Sequence, residues 1–556
     1  MAIFHRGRKA RPVQYNHLST STLGNPRHLG GPGGGVRYLR VRSMAWLDRF
    51  RGVSSQRLFR SWQGTGSGVS SRAAIIAAVS ATVLALAAGC GNQYRPVVTP
   101  INPTGPAGQP TAYVTVLSQP GPTGIVGSCS GTTYSTPSVI TLLDFSGDSI
   151  LDEAEGGYGP LTFSLESSGS QVFAPNCDGT ITTSDNSPGA ILTKNIQTST
   201  LLPNALPTNA LLDQNILYVT ETGQTSSCPA TNCVAQMMGS PQAVKQEIPV
   251  APSLVNLVGS GSSERIYAIS QGNSTGGSLS WGTCDTPSTV TVTGEADAIE
   301  TTSNTISARL PLGICPVYGY MSPNSLRTFI MNRGGTPGVS GGTVTVINSQ
   351  LNAIDSLHPT ITVGAGPVFA DYYIDGQVLV TANYDSNSIS IIDASLDVYG
   401  NDSLTFGTVL ATVNLANGPG CPTGTDTMCM HPVEVTVLQD GSRVYVANQG
   451  DIAAGIPGSV SVVNLNNYTI ESTIPLTSNP HAIASIYSYP YGKVYVASQN
   501  SPYLTVIRTD TDTISATPEV QGNIVDMRVS AQYPLQSTQG SGNEQMESRS
   551  VGSGAP

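Results

Sequence analysis

The chain is 556 residues long, with 60 glycines, 38 prolines and only 11% charged residues, which suits many tight turns and leaves little material for charged helices. Residues 1–72 hold 13 of the 25 basic residues and one acid, Asp48, so 12 basic and 34 acidic residues remain for the rest. A balance of −22 there repels a phosphate backbone and excludes nucleic-acid binding, which needs clustered Lys or Arg.

The basic leader, residues 1–72, is longer than an export signal needs. A start at Met44 gives an ordinary length; otherwise the stretch is a disordered arm. Residues 73–89 (AAIIAAVSATVLALAAG) are an apolar run that ends in Leu86-Ala87-Ala88-Gly89-Cys90. A basic region, a short apolar core and small residues before a cut site define a secretory signal. The L-A-A-G-C ending resembles the lipobox of bacterial lipoproteins, which implies that Cys90 is lipid-modified and becomes the mature N-terminus. A plain membrane span is the alternative, and seventeen apolar residues are near its lower limit. Ala dominates the run, however, and a Pro/Gly-rich linker follows at 91–110. Gly91 and Asn92 carry no acidic retention signal, so the same resemblance implies the outer membrane rather than the inner.

From residue 111 a strand phrase recurs. Its copies begin at Val172 (VFAPN), Leu217 (LYVTE), Ile266 (IYAIS), Thr328 (TFIMN), Leu379 (LVTAN), Val444 (VYVAN) and Val494 (VYVAS), at intervals of 45, 49, 62, 51, 65 and 50 residues. A second phrase follows most copies, as in SVSVVN (459–464), TVTVIN (343–348) and SISIID (388–393), and then a third, as in TIESTIPL (469–476). These runs are short, β-branched or aromatic, and partly alternating, which is a strand pattern. The Asn or Asp closing the second phrase suits a turn, because its side chain can bond the backbone two residues on. A Pro step such as Asn479-Pro480 opens the next unit, so each unit holds about four antiparallel strands. Such units bury their faces by stacking radially as a β-propeller; a linear solenoid uses shorter repeats.

The phrases VYVANQ, SVSVVNLNNYTIESTIPL and NPHAIA resemble the YVTN-type β-propeller repeat, related to larger surface-layer and lactonase-like propellers. The match is good over 320–520, weak over 160–310 and absent before residue 110, with Glu221, Ala268 and Ser270 departing from the pattern. Asn523 to Ser530 is a leftover strand, and pairing it with Tyr113 to Leu117 and the 138–155 hairpin closes the ring. The expectation is an all-β propeller of seven or eight four-stranded blades over 111–530. A Ser-, Gly- and Gln-rich tail at 531–556 is expected to be disordered.

Nine cysteines less Cys90 leave eight, an even number that fits export. Cys228 with Cys233 and Cys421 with Cys429 are close pairs inside repeat insertions. Cys129 with Cys177 and Cys284 with Cys315 follow by elimination. Zinc is the competing reading, but Cys-x4-Cys with no nearby second pair or His is poor ligand spacing.

Three histidines lie beyond the leader. His431 and His481 sit beside unit-opening prolines and, with Asp371 and Glu434, are candidates for the mouth of a central channel. Surface or turn roles are the plainer reading for all four, and His358 has less claim. No nucleophile elbow, zinc-protease motif, P-loop or dinucleotide fingerprint occurs, so no catalytic residue, metal or cofactor is assigned. The expected function is an envelope-anchored binding or scaffold module, held to the membrane through lipidated Cys90 and engaging a protein or glycan partner. The alternatives are a lactonase-like or quinoprotein-like enzyme with its site at the channel, and a surface or matrix structural protein.

Overall fold

The computed structural model describes residues 112–529, apart from loop segments such as 122–133, 187–196 and 273–283. The leader, the 73–90 signal with Cys90, the 91–110 linker, Cys129 and the 531–556 tail lie outside the described residues.

The chain folds as an eight-bladed β-propeller, with eight antiparallel sheets following one another along the sequence. Blade 1 joins Tyr113–Gln119, Val139–Asp144 and Ile150–Glu155 to the last strand, Asn523–Val529, which becomes its inner strand. Blades 2 to 8 then span 164–200, 206–249, 254–314, 316–363, 367–414, 432–475 and 480–516. In each of these the strands run outward from the axis in chain order, and blade 5 adds a short fifth strand, Thr360–Val363. The composite blade settles the blade number at eight. It also ties both ends of the domain into one sheet.

All seven copies of the recurring phrase lie in second strands, from Gln171–Pro175 in blade 2 to Lys493–Ser498 in blade 8. Two positions of the phrase explain why it recurs. Its final Asn reaches into the third strand: the Asn448 amide donates to the hydroxyls of Ser459 (3.1 Å) and Ser461 (2.8 Å). Asn332 does the same to Thr343 and Thr345, Asn383 to Ser388 and Ser390, and Asn176 to Thr180 and Thr182. A buried amide needs such partners, and the S-x-S or T-x-T opening of the third strand supplies them.

The phrase's Tyr points the other way along the strand and crosses to the next blade. Tyr218 donates to Asn304 (2.8 Å), Tyr445 to Asp512 and Tyr495 to Asp148 (3.2 Å). Cations that open second strands also cross to the next blade: Arg443 meets Asp512 at 2.9 Å, and Arg265 donates to the Ser349 carbonyl at 2.6 Å.

Between the blades, alternate side chains of facing sheets form apolar cores. One joins Leu217, Val219, Ala235 and Met237 of blade 3 to Phe173 and Ile181 of blade 2. Antiparallel order divides the loops between two faces. Second-to-third-strand loops and blade-to-blade connections share one face, here the loop face; the remaining turns lie on the opposite turn face. Chain entry at Ala112 is on the turn face, where its carbonyl accepts from Phe145.

Candidate functional site

An inner strand of a propeller blade turns one edge to the axis, and its free N–H groups there require acceptors. Two of the candidate channel residues answer that need, and a third bonds a backbone carbonyl. Asp371, on the inner strand Pro367–Tyr373 of blade 6, accepts from the Val437 N–H of blade 7 at 2.6 Å. Glu434, on Pro432–Val437 of blade 7, accepts from the Ile483 N–H of blade 8 at 2.9 Å. His481, on Pro480–Ile486 of blade 8, places Nε2 3.1 Å from the Val525 carbonyl of blade 1.

The ring continues with equivalent contacts. Arg528 of blade 1 donates to the Phe163 carbonyl, and the Thr162 hydroxyl donates to Asp526 at 2.6 Å. Leu212 N–H donates to Ser164, Ser263 donates to Asp213, Ser260 meets Ser325, and Tyr318 stacks on Phe369 with centroids 4.4 Å apart. Every blade boundary thus has its tie.

These positions correct the expectation that Asp371 flanks a solvated strand turn. It lies within a strand and is half-buried, and desolvation there pushes its carboxyl up to about 6 against the pull of the Val437 and Tyr372 N–H groups. The three residues serve three successive boundaries: 6 to 7, 7 to 8 and 8 to 1.

His431 is separate from them. It precedes the inner strand of blade 7 on the loop face, with a left-handed φ of 57°. Its ring stacks on Tyr384 (4.5 Å between centroids), which Arg333 also covers at 5.1 Å. Arg333 pairs with Asp385 at 3.1 Å, the Tyr384 hydroxyl donates to Gln449 at 3.0 Å, and Asn387 accepts from the His431 N–H. The stack joins blades 5, 6 and 7 at the rim.

His358 belongs to the turn face, where Asp355, His358 and Asp402 come close enough to suggest metal ligation. Arg327 occupies that role instead. Its guanidinium meets Asp402 at 2.7 Å and Asp355 at 3.5 Å, while His358 Nδ1 lies 2.9 Å from Asp402. A fixed positive charge lies against both carboxylates, so the group reads as a clasp between blades 5 and 6.

Disulfides gather on the loop face. Cys228–Cys233 clips the second-to-third-strand loop of blade 3, Cys421–Cys429 the connection into blade 7, and Cys284–Cys315 joins two loops around blade 4. Cys177, in the matching turn of blade 2, is also disulfide-bonded.

One site was legible only as an irregularity. Glu221 stands where other blades place the amide-bearing Asn, and the residues opposite are Cys233 and, two further, Ala235 rather than hydroxyls. Neither carboxyl oxygen of Glu221 meets a donor, and the side chain is buried. Its neighbour is Glu247, whose other oxygen accepts from Thr225. Burial, then a hydrogen bond and repulsion from Glu247, push Glu221 up to about 9, so at neutral pH it carries a proton that it can donate to Glu247.

No family model matches the chain, and no curated protein matches it. Among solved structures it is similar to AztD from Citrobacter koseri, at 12% identity and a TM-score of 0.45, over 75% of this chain and 98% of that one. An apo form of AztD gives 12% identity and a TM-score of 0.46 over the same shares. Sqt1 from Saccharomyces cerevisiae gives 8% and 0.45, over 66% of this chain and 86% of that one. Likeness at this level says nothing about a ligand.

Proposed function

We propose that this chain is a lipid-anchored envelope protein of the YVTN-repeat type, whose propeller is a non-catalytic scaffold for a protein or glycan partner. The observation that carries this reading is the use made of the channel candidates. Asp371, Glu434 and His481 each bond the backbone of a neighbouring blade, so each candidate has a structural task in holding the ring together. Clipped insertions on the loop face give a rigid surface instead, and rigidity lowers the ordering cost of binding. The lipobox reading of Cys90 supplies the anchor, outer membrane rather than inner.

Membrane fractionation of cells expressing the full chain tests the proposal. Lipid labelling is expected at Cys90, with the protein in the outer-membrane fraction, and Cys90→Ala should release it in exported, soluble form. An unlabelled cytosolic protein overturns the reading of its place. Turnover of a lactone or an alcohol that survives purification and is lost on substituting Glu434 or His481 overturns the scaffold reading.

A further inference from the structure

Apart from the disulfide-clipped loops, the irregular features of the propeller are concentrated on the turn face of blades 5 and 6. There Leu351 and Leu357 are 74% and 75% exposed, Val398 93%, Tyr399 83% and Leu404 105%, whereas no other large apolar side chain among the described residues exceeds 48%. Five such residues on two adjoining loops are an exposed apolar patch that the fold itself does not use.

The loop that carries three of them is held rigidly. Asp397 accepts from the Tyr399 and Asn401 N–H groups at 2.8 and 2.9 Å, and Ser395 meets Ser403 at 2.7 Å. Arg327, anchored beneath it, donates to the Gly400 carbonyl at 3.3 Å and pairs with Asp402. Val398, Tyr399 and Leu404 are therefore displayed by a braced turn. A loop free to collapse would have turned them inward.

We propose that this patch is seated on a lipid surface, so that the turn face lies against the membrane and the disulfide-clipped loop face points away. The inference rests on the lipid-anchored reading and deepens it by giving the propeller an orientation. Two observations favour lipid as the occupant. The chain enters the propeller on the same face, at Ala112 beside Phe145. The 22 residues from Cys90 to Ala112 span at most roughly 80 Å, so the anchor holds the point of chain entry, which is on this face, within reach of the bilayer. Within that reach the second contact is effectively intramolecular, and a patch too small to bind a membrane alone is sufficient to orient a tethered body. Charge decides the lipid. The cations of this face are already paired, as Arg265 with Glu300, Arg327 with Asp402, Arg443 with Asp512 and Lys493 with Asp148. The chain being acidic, contact is apolar and favours zwitterionic headgroups over anionic ones.

The test uses the lipidated full chain on phosphatidylethanolamine–phosphatidylcholine vesicles, with an environment-sensitive label at Tyr399→Cys and, separately, at Ala453→Cys on the loop face. The label at 399 should shift to the blue and lose most of its quenching by iodide; the label at 453 should do neither. Val398→Asp with Leu404→Asp should abolish the protection at 399 while the protein stays on the vesicles. A label at Leu351→Cys repeats the measurement where the first disturbs its own loop. Equal quenching at 399, 351 and 453 on vesicle-bound protein overturns the orientation and leaves the anchor intact. Protection at 399 without vesicles, with a doubled mass, overturns it in favour of self-association. Protein that does not remain with vesicles overturns the anchor, and the orientation with it.

Discussion

The Lys493 ammonium lies 2.8 Å from the Asp148 carboxylate and fastens the last blade to the first on the turn face. The same ammonium donates to the Phe145 carbonyl at 2.6 Å, and the Tyr495 hydroxyl reaches Asp148 as well. Both side chains of the pair are largely buried. Removing one partner of a buried pair leaves the other charged and poorly compensated, which costs about 3–5 kcal/mol. Lys493→Met should therefore lower unfolding stability by about 3 kcal/mol in a denaturant titration, and Asp148→Asn should be coupled to it in a double-mutant cycle. Arg508→Ala, in the exposed pair with Asp510, should leave the midpoint unchanged. Equal effects at the two sites would show that the clasp contributes nothing to ring closure.

Asn448 offers a second measure of what the repeat encodes. Its amide donates to two hydroxyls in a site from which water is excluded. Asn448→Asp removes both donated bonds and introduces a buried carboxylate, whereas Ser461→Ala removes one acceptor. The expected order is a loss of about 1 kcal/mol for Ser461→Ala and at least twice that for Asn448→Asp, read from thermal or denaturant unfolding. Indifference to Asn448→Asp would mean that the phrase recurs for some reason other than this amide.

Much of the scaffold was legible because the second, third and outer strands carry dense β-branched patterns, and the phrase VYVAN marks its strand in all seven copies. The inner strands were harder to read. NPHAIA and HPVEVTV look like unit openings, yet they line the axis, and their polar residues bond to backbone groups one blade later. Glu434 meets Ile483 across 49 residues, and a backbone N–H leaves no mark in the sequence. Asp371 looked like a turn acid for the same reason. Arg327 passed unnoticed beside His358, although it pairs with both acids there. Glu221 was visible as a departure from the pattern, but its pairing with Glu247 depends on strand order, which only the fold supplies.

The disulfides should differ in what they contribute. Cys284–Cys315 closes a separation of 31 residues, and Cys228–Cys233 one of 5. Constraining the unfolded chain is worth more for the longer loop, about 3.5 against about 2 kcal/mol in the chain-entropy account. Replacing each pair by Ser should reproduce that order in denaturant midpoints. A larger loss at Cys228–Cys233 would instead point to its second task, covering the buried Glu221 beside Cys233.

That buried carboxyl makes a prediction in pH. Glu221 is raised from 4.5 to about 9 in the folded chain, so between those values the folded state holds a proton that the unfolded state has lost. Stability then falls as pH rises through that window, by up to about 1.4 kcal/mol per unit, and this contribution is flat below 4.5 and above 9. Asp371 and Asp297, each raised from 3.8 to about 6, act in the same direction but are exhausted above 6. From pH 6 to 9 the difference between the native protein and Glu221→Gln therefore isolates one group. The Gln side chain keeps the volume and supplies a permanent donor to Glu247. Its unfolding free energy should decline less steeply over that range, and at pH 8 it should equal or exceed the native value. Parallel curves from 6 to 9 would mean that Glu221 ionises normally in the fold, and the reading of a proton shared with Glu247 would fail.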